Sequence, residues 1–127
     1  MSHDDATPPA VAAMIAFAQA VPATQPILED HVASNDEVLP HVLMADLRRF
    51  LVDRITTNDQ TTLAEFLREI ERLASSDNPS VRNVVDVSFI EDLVLGDPGE
   101  LAALEMIRPQ LGPATTASLA TSEQSYR

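Results

Sequence analysis

Apolar residues recur at steps of three and four along much of the chain, which is the spacing of an amphipathic helix. The most regular run lies within 62–74, where one apolar stripe has Glu65 and Glu69 on its outer side. A second run with the same spacing lies within 40–55 and includes Leu43. The pattern therefore predicts helices at 40–55 and 62–74.

Cap residues and prolines indicate where helices begin. A proline at the first helical position loses no hydrogen bond, so Pro9 and Pro98 are suited to helix starts. Thr62 and Glu65 have the spacing of a capping box. Together with the turn residues between them, these positions predict further helices at 9–21, 27–33, 79–95 and 98–110.

The segment 79–95 is apolar on nearly all sides, as expected for a helix packed between others. Its valine content leaves a β-strand at 84–95 as an alternative, whereas Asp77 or Asn78 as a cap before Pro79 favours a helix. On a helical wheel Asp92 falls on the apolar face. A buried carboxylate is costly without a partner, so we expect Asp92 either to pair with an arginine, for which Arg54 on the apolar stripe of 40–55 is the candidate, or to cap a neighbouring helix. The alternative is that Asp92 forms a polar spot in a groove that a partner or ligand reaches.

These elements predict an all-α fold, either a compact bundle or a short α-α superhelix of five to six helices. Aromatic residues make up only 4% of the chain, which favours helix packing over sheets. We expect a disordered N-terminus at 1–8, a single helical domain at 9–112 and a flexible C-terminal tail at 113–127.

The charge of the chain restricts its partners. The net charge is −12 and all eight basic residues are arginines, so nucleic acid and anionic membranes are disfavoured because both need a basic surface. A protein partner is the better expectation, and an acidic surface would attract a basic one. The acidic start and the short apolar stretch at 10–21 predict neither a signal peptide nor a membrane span, hence a cytoplasmic protein. Arginine without lysine suggests a GC-rich bacterial genome.

Few residues suggest catalysis or metal binding. The chain has no cysteine and three scattered glycines, so thiol chemistry and a phosphate loop are not expected. His41 with Asp46, and His31 beside Glu29 and Asp30, lack the paired spacing of a metal site. Ser88 lacks the flanking glycines of a nucleophile elbow, so it is not expected to act as a serine nucleophile. We therefore expect no catalytic residue, no cofactor, no metal and no enzymatic activity.

Part of the chain resembles a HEAT-type repeat. An amphipathic helix is followed by Ser76, Asp77, Asn78 and Pro79, and then by Val81 and Arg82 at the start of a second helix. The resemblance implies that the aspartate caps the second helix and that the arginine supports the stack of repeats. It covers about a third of the chain and has no second copy, which excludes a long solenoid.

Two other segments look like an uncharacterised family of small bacterial proteins. They are Leu39-Pro40-His41-Val42 with 46–50, and 83–93, which reads NVVDVSFIEDL. The resemblance implies a helical domain without assigned activity, and some members look like immunity-type partners of toxins. Together with the histidine–carboxylate pair, these segments supply the candidate partner-binding residues His41, Asp46, Asp86, Glu91 and Asp92.

Three functions remain open from the sequence. The favoured one is an acidic protein-binding module, most concretely an immunity or antitoxin-like protein that masks a basic partner. The second is a self-associating structural or regulatory domain, in which the first and fifth helices form a homodimer interface. The third is a small-ligand binder or enzyme with a site at His41, Asp46 and Asp92.

Overall fold

A computed structural model describes residues 7–126, and that part of the chain contains seven helices and no strand. Short 3-10 turns lie at Pro22–Thr24 and Arg108–Gln110. The all-α prediction is confirmed, and the strand alternative at 84–95 is wrong. The helices are α1 (Pro9–Ala20), α2 (Gln25–Asn35), α3 (Pro40–Thr56), α4 (Gln60–Ala74), α5 (Pro79–Val85, Asp86–Glu91 and Asp92–Val94 in succession), α6 (Pro98–Ile107) and α7 (Pro113–Ser125).

The core is centred on Phe66 of α4, which is fully buried. Its ring packs edge-on against Phe17 of α1 at 4.9 Å between centroids, and lies 6.5 Å from Phe50 of α3 and 6.0 Å from Phe89 of α5. All four phenylalanines of the chain therefore meet at one point, and four helices are joined there. Such aromatic contacts stabilise the fold beyond the area they bury.

The middle of α5, Asp86–Glu91, is a π-helix between two α-helical pieces. A π turn holds one residue more than an α turn, so the residues beyond it are rotated by about 100° relative to a regular helix. Leu93 consequently takes the buried direction, with no exposed surface, while the side chain of Asp92 is 46% exposed. The wheel of a regular α-helix misplaced Asp92 for this reason.

Two helices begin at the proline that the sequence predicted, Pro79 and Pro98, and a third begins earlier than predicted. Asp97 and Glu100 form a complete capping box at α6, and the side chain of Asn78 caps α5. The capping box predicted at Thr62 is wrong, because α4 begins earlier and Asp59 caps it by accepting the backbone N–H of Thr62. Thr62 itself is buried.

The flexible tail predicted at 113–127 is wrong over 113–125, which form α7. Thr115 and Leu119 are buried against the rest of the molecule. The first turn of α7 is capped from α4, since Glu71 accepts the backbone N–H groups of Ala114 and Thr115 at 2.9 and 3.0 Å. Residues 1–6, the greater part of the segment predicted to be disordered, lie outside the described residues.

None of the described helices is by itself long and apolar enough to cross a membrane. The first two, Pro9–Ala20 and Pro22–Asn35, meet the length and composition criteria only as a pair bent by 115°.

Candidate functional site

A buried arginine of α3 joins three helices. Arg48, 8% exposed, donates from Nη1 to Oδ2 of Asp92 and to the carbonyl oxygen of Ser88, both at 2.9 Å. Its Nε donates to Oε2 of Glu100 at 2.8 Å. We call these four residues the Arg48 cluster. A buried charge is tolerable when it is both paired and hydrogen-bonded, and Arg48 meets both conditions.

The sequence suggested the wrong arginine as the partner of Asp92. Arg54 pairs instead with Asp53, and its guanidinium lies 5.4 Å from the centre of the Phe50 ring. Arg48 lies one helical turn from the buried residues Met44 and Leu51. That spacing was visible in the sequence and would have identified Arg48 as a buried cation.

His41, at the start of α3, is placed beside the Arg48 cluster. Its Nδ1 lies 2.6 Å from Oγ of Ser88, a residue in the π-helical segment. Ser88 is buried, with 6% of its surface exposed. The pair therefore links the start of α3 to α5, while the serine hydroxyl has little contact with solvent.

Asp46 lies apart from the Arg48 cluster, beside an open cavity of about 460 Å³ between α2 and α3. It pairs with Arg49 of the same helix. We call this the acidic cavity. Its wall is formed chiefly by Ile27, Asp30, His31, Asn35, Asp46 and Phe50.

His31 is 97% buried, since only 3% of its surface is exposed. Its Nε2 accepts the backbone N–H of Leu39 at 2.9 Å, so a neutral ring carries its proton on Nδ1. The neighbour of Nδ1 is Nδ2 of Asn35 at 3.4 Å, an amide donor that already donates to the carbonyl oxygen of His31. Asn35 therefore contacts both the ring and the main chain of His31.

Asp86 and Glu91 lie on the side of α5 that faces α7. Asp86 accepts the hydroxyl of Ser118 at 2.7 Å. Partial desolvation, then the hydrogen bond to Glu91 and its charge, raise the pKa of the Tyr126 phenol. Both carboxylates hold α7 on the molecule, beside an open cavity of about 460 Å³ that Arg82 also lines.

The five predicted site residues thus occupy three places. The structure brings His41 and Asp92 together through Ser88 and Arg48. Asp46 lies at the acidic cavity. Asp86 and Glu91 lie against α7. No described cavity joins the three residues of the ligand-binding alternative. Within residues 7–126, no three histidine or carboxylate side chains converge as a metal site would require.

Charge is distributed unevenly along the chain. The first 47 residues contain seven carboxylates and no lysine or arginine, whereas the remaining 80 contain 13 carboxylates and eight arginines. The first part therefore carries −7 of the net −12. The seven are Asp4, Asp5, Glu29, Asp30, Asp36, Glu37 and Asp46.

The fold and these contacts define a small all-helical domain with exposed carboxylates on α2 and the loop after it, and a polar cluster at a π-helical segment. Residues 14–127 match the family described as Domain of unknown function (DUF7674), so the chain belongs to this family. The match includes α7, which is consequently part of the family domain. No curated protein and no solved structure matches the chain.

Proposed function

We propose that this protein is an acidic binding domain for a basic surface of another protein. The observation that carries the proposal is the uneven charge, because seven carboxylates precede the first arginine. Carboxylates concentrated on one part of a surface attract a basic partner and accelerate its encounter.

The contacts of the arginines support this interpretation. Arg54, Arg72 and Arg108 each pair with a carboxylate on their own or a neighbouring helix. These three charges are therefore compensated within 48–127, whereas Arg49 pairs with Asp46 of the first part. The carboxylates of α2 and of the loop after it face solvent, with Glu29, Asp30, Asp36 and Glu37 all exposed.

A finer proposal is that the partner is a toxin whose basic surface this protein masks. It rests on the resemblance of 39–42 with 46–50, and of 83–93, to an uncharacterised family of small bacterial proteins, some of which look like immunity-type partners of toxins, together with the small size and acidity of the chain. A mask of this kind needs no catalytic group, because occupying the basic surface is sufficient to block it.

Capture experiments with two charge-matched variants test the proposal. The first variant replaces α2 and loop carboxylates with amides by Glu29→Gln, Asp30→Asn, Asp36→Asn and Glu37→Gln. Asp36 has a left-handed backbone, with φ of 63°, which asparagine also tolerates. The control carries Asp53→Asn, Glu65→Gln, Asp77→Asn and Glu105→Gln, which change the net charge equally.

We expect the wild-type chain and the control to retain the same basic proteins from a lysate of the source cells at low salt. The α2 variant should lose them, and high salt should release them from the wild type. Capture that is equal for all three proteins, or unchanged at high salt, would contradict the proposal.

Self-association is a second candidate, favoured by three exposed large apolar side chains at the end of α5 and on α6. Leu95, Leu101 and Met106 are 57%, 42% and 62% exposed and lie close together in sequence. Leu95 ends the fifth helix suggested by the sequence, whereas Leu101 and Met106 lie on α6, outside the first and fifth helices. Light scattering at high concentration should show a dimer that Met106→Glu dissociates and Val42→Glu, an exposed control, does not. A wild-type monomer would contradict it.

A further inference from the structure

We propose that the cavity between α5 and α7, which we call the α5–α7 cavity, binds a free basic α-amino acid. Its volume of about 460 Å³ is in the range of sites that hold small organic molecules. None of the described residues that line it belongs to α2. The ligand and its site are therefore separate from the proposed function, which stands or falls independently.

Ser122 of α7 is the residue that points to a ligand. Only 9% of its surface is exposed, and its hydroxyl has no hydrogen-bond partner among the described residues. Ser118, Ser122 and Ser125 are spaced i, i+4 and i+7, so they lie on one face of α7, and all three line the cavity. The Ser122 side chain is thus directed at the cavity, and rotation about one bond brings its hydroxyl to a ligand there. An unpartnered buried hydroxyl is costly, and such a ligand would remove the cost.

Arg82 of α5 supplies a cation to the same cavity. One of its nitrogens, Nη1, donates to the carbonyl oxygen of Ser76 at 2.7 Å. Within residues 7–126 the guanidinium forms no ion pair with a carboxylate, although the side chain is only partly exposed. A guanidinium has several N–H donors in a planar fork, so Arg82 keeps donors for the carboxylate of a ligand.

Two carboxylates line the cavity farther along α5. Asp86 lies one turn after Arg82, and Glu91 lies at the other end of the π-helical segment. Residues five apart point in different directions in an α-helix, whereas a π turn brings them onto the same side. The π-helical segment therefore places both carboxylates on the cavity wall. Asp86 accepts from Ser118 and Glu91 from Tyr126, and a carboxylate has acceptor sites for further hydrogen bonds.

The signs and the order of these charges match a basic α-amino acid. Such a ligand carries one carboxylate and two cations, while Arg82, Asp86 and Glu91 supply one cation and two carboxylates. Asp86 and Glu91 are five residues apart, or about 7 Å of helix rise, which is similar to the separation of the two ammonium groups in extended lysine. The ligand carboxylate then pairs with Arg82, its α-ammonium with Asp86 and its side-chain ammonium with Glu91. Ala74 and Ala114 add apolar wall for the methylene chain.

Ser122 lies between the two carboxylates along the cavity. It follows Ser118, the partner of Asp86, by one turn and precedes Tyr126, the partner of Glu91, by one turn. Its hydroxyl oxygen is therefore placed to accept a hydrogen bond from the side-chain ammonium of the ligand. This contact gives the buried serine the partner that it lacks within the chain.

Chemical-shift titrations of the full chain with L-lysine, norleucine and cadaverine test the assignment. Norleucine lacks the side-chain ammonium of lysine, and cadaverine lacks its carboxylate. Lysine should shift the amide signals of Ser118, Ser122 and Glu91 to saturation, and both analogues should bind about tenfold more weakly or worse because charged groups of the cavity stay unpaired. Cadaverine would instead bind best if the negative charge of the chain merely attracted cations. That result, equal affinity for all three, or no such shifts with lysine would overturn the assignment.

Two variants with matched controls locate the site. Arg82→Gln should weaken lysine binding about tenfold and leave the affinity for cadaverine unchanged, whereas Arg68→Gln, at an exposed arginine of α4, should affect neither. Ser122→Ala should weaken lysine binding about three- to tenfold. It should not lower the free energy of unfolding, because the hydroxyl has no partner to lose. Ser80→Ala removes an exposed hydroxyl of α5 and should leave binding unchanged. Lysine binding that is unchanged in both cavity variants would contradict the proposal.

Discussion

The guanidinium group of Arg48 connects α3 to α5 and α6 through three acceptors. Two of these acceptors are carboxylates, so removing the arginine would leave Asp92 and Glu100 without their cation. It would also leave the carbonyl oxygen of Ser88 without this donor. Removing Arg48 should therefore lower the free energy of unfolding more than breaking an ordinary surface ion pair does.

Replacing Arg48 with methionine should lower the free energy of unfolding by about 3 kcal/mol. Breaking a buried ion pair costs about 3–5 kcal/mol, and the exposure of Asp92 places the value at the lower end. Far-UV circular dichroism in a urea titration measures the change, since the chain has no tryptophan. Arg49→Met should cost less than about 1 kcal/mol. Equal losses would show that Arg48 is an ordinary surface residue.

Helix α7 is capped by a carboxylate from another helix. Glu71 on α4 accepts two backbone N–H groups at the first turn of α7 and the hydroxyl of Thr115 at 2.8 Å. Burial alone would raise the pKa of Glu71, but the hydrogen bonds from Thr115 and Ala114, with a further one from Ser75, lower it below the ordinary 4.5. The ionised form is therefore the one that stabilises α7.

Replacing Glu71 with glutamine should reduce stability by about 1–2 kcal/mol at neutral pH, the usual cost of losing a helix cap. Because the folded-state pKa lies below 4.5, the contribution of the carboxylate is complete above pH 4.5. It is lost as the pH falls through the folded-state value. Urea titrations of both proteins across this range should show their difference shrink on acidification. A constant difference would contradict this role.

How far the sequence predicted these elements depends on where their determinants lie. The helices at 40–55 and 98–110 were placed within a few residues, because an apolar stripe and a cap are local features. α7 was missed because Glu71 and Asp86, which hold it, are distant in sequence. Of the site, the pairing of Asp92 with an arginine was predicted, but its orientation was not, because the π-helical segment that reorients it has no local signature.

Over the whole molecule, the net charge of −12 opposes compaction. Moderate salt screens repulsion between exposed carboxylates and has less effect on buried pairs such as those of Arg48.

Sodium chloride should therefore raise the thermal midpoint. A gain of about 1 kcal/mol corresponds to roughly 3–5 °C for a domain of this size. Thermal unfolding followed by circular dichroism at increasing salt measures the shift. A midpoint that falls would show that favourable ion pairs outweigh the repulsion.

The π-helical segment of α5 has a consequence for chain length. It accommodates one residue more than a regular helix needs, so the flanking α-helical pieces already lie as they would in a helix one residue shorter. Deletion of Val87 should then leave Leu93 buried and Asp92 facing Arg48, and the protein should still unfold cooperatively. Deletion of Arg68 from the regular helix α4 should instead rotate every later residue of that helix by about 100° and abolish folding. In this family, single-residue length differences are therefore expected within 86–91 and not within α4.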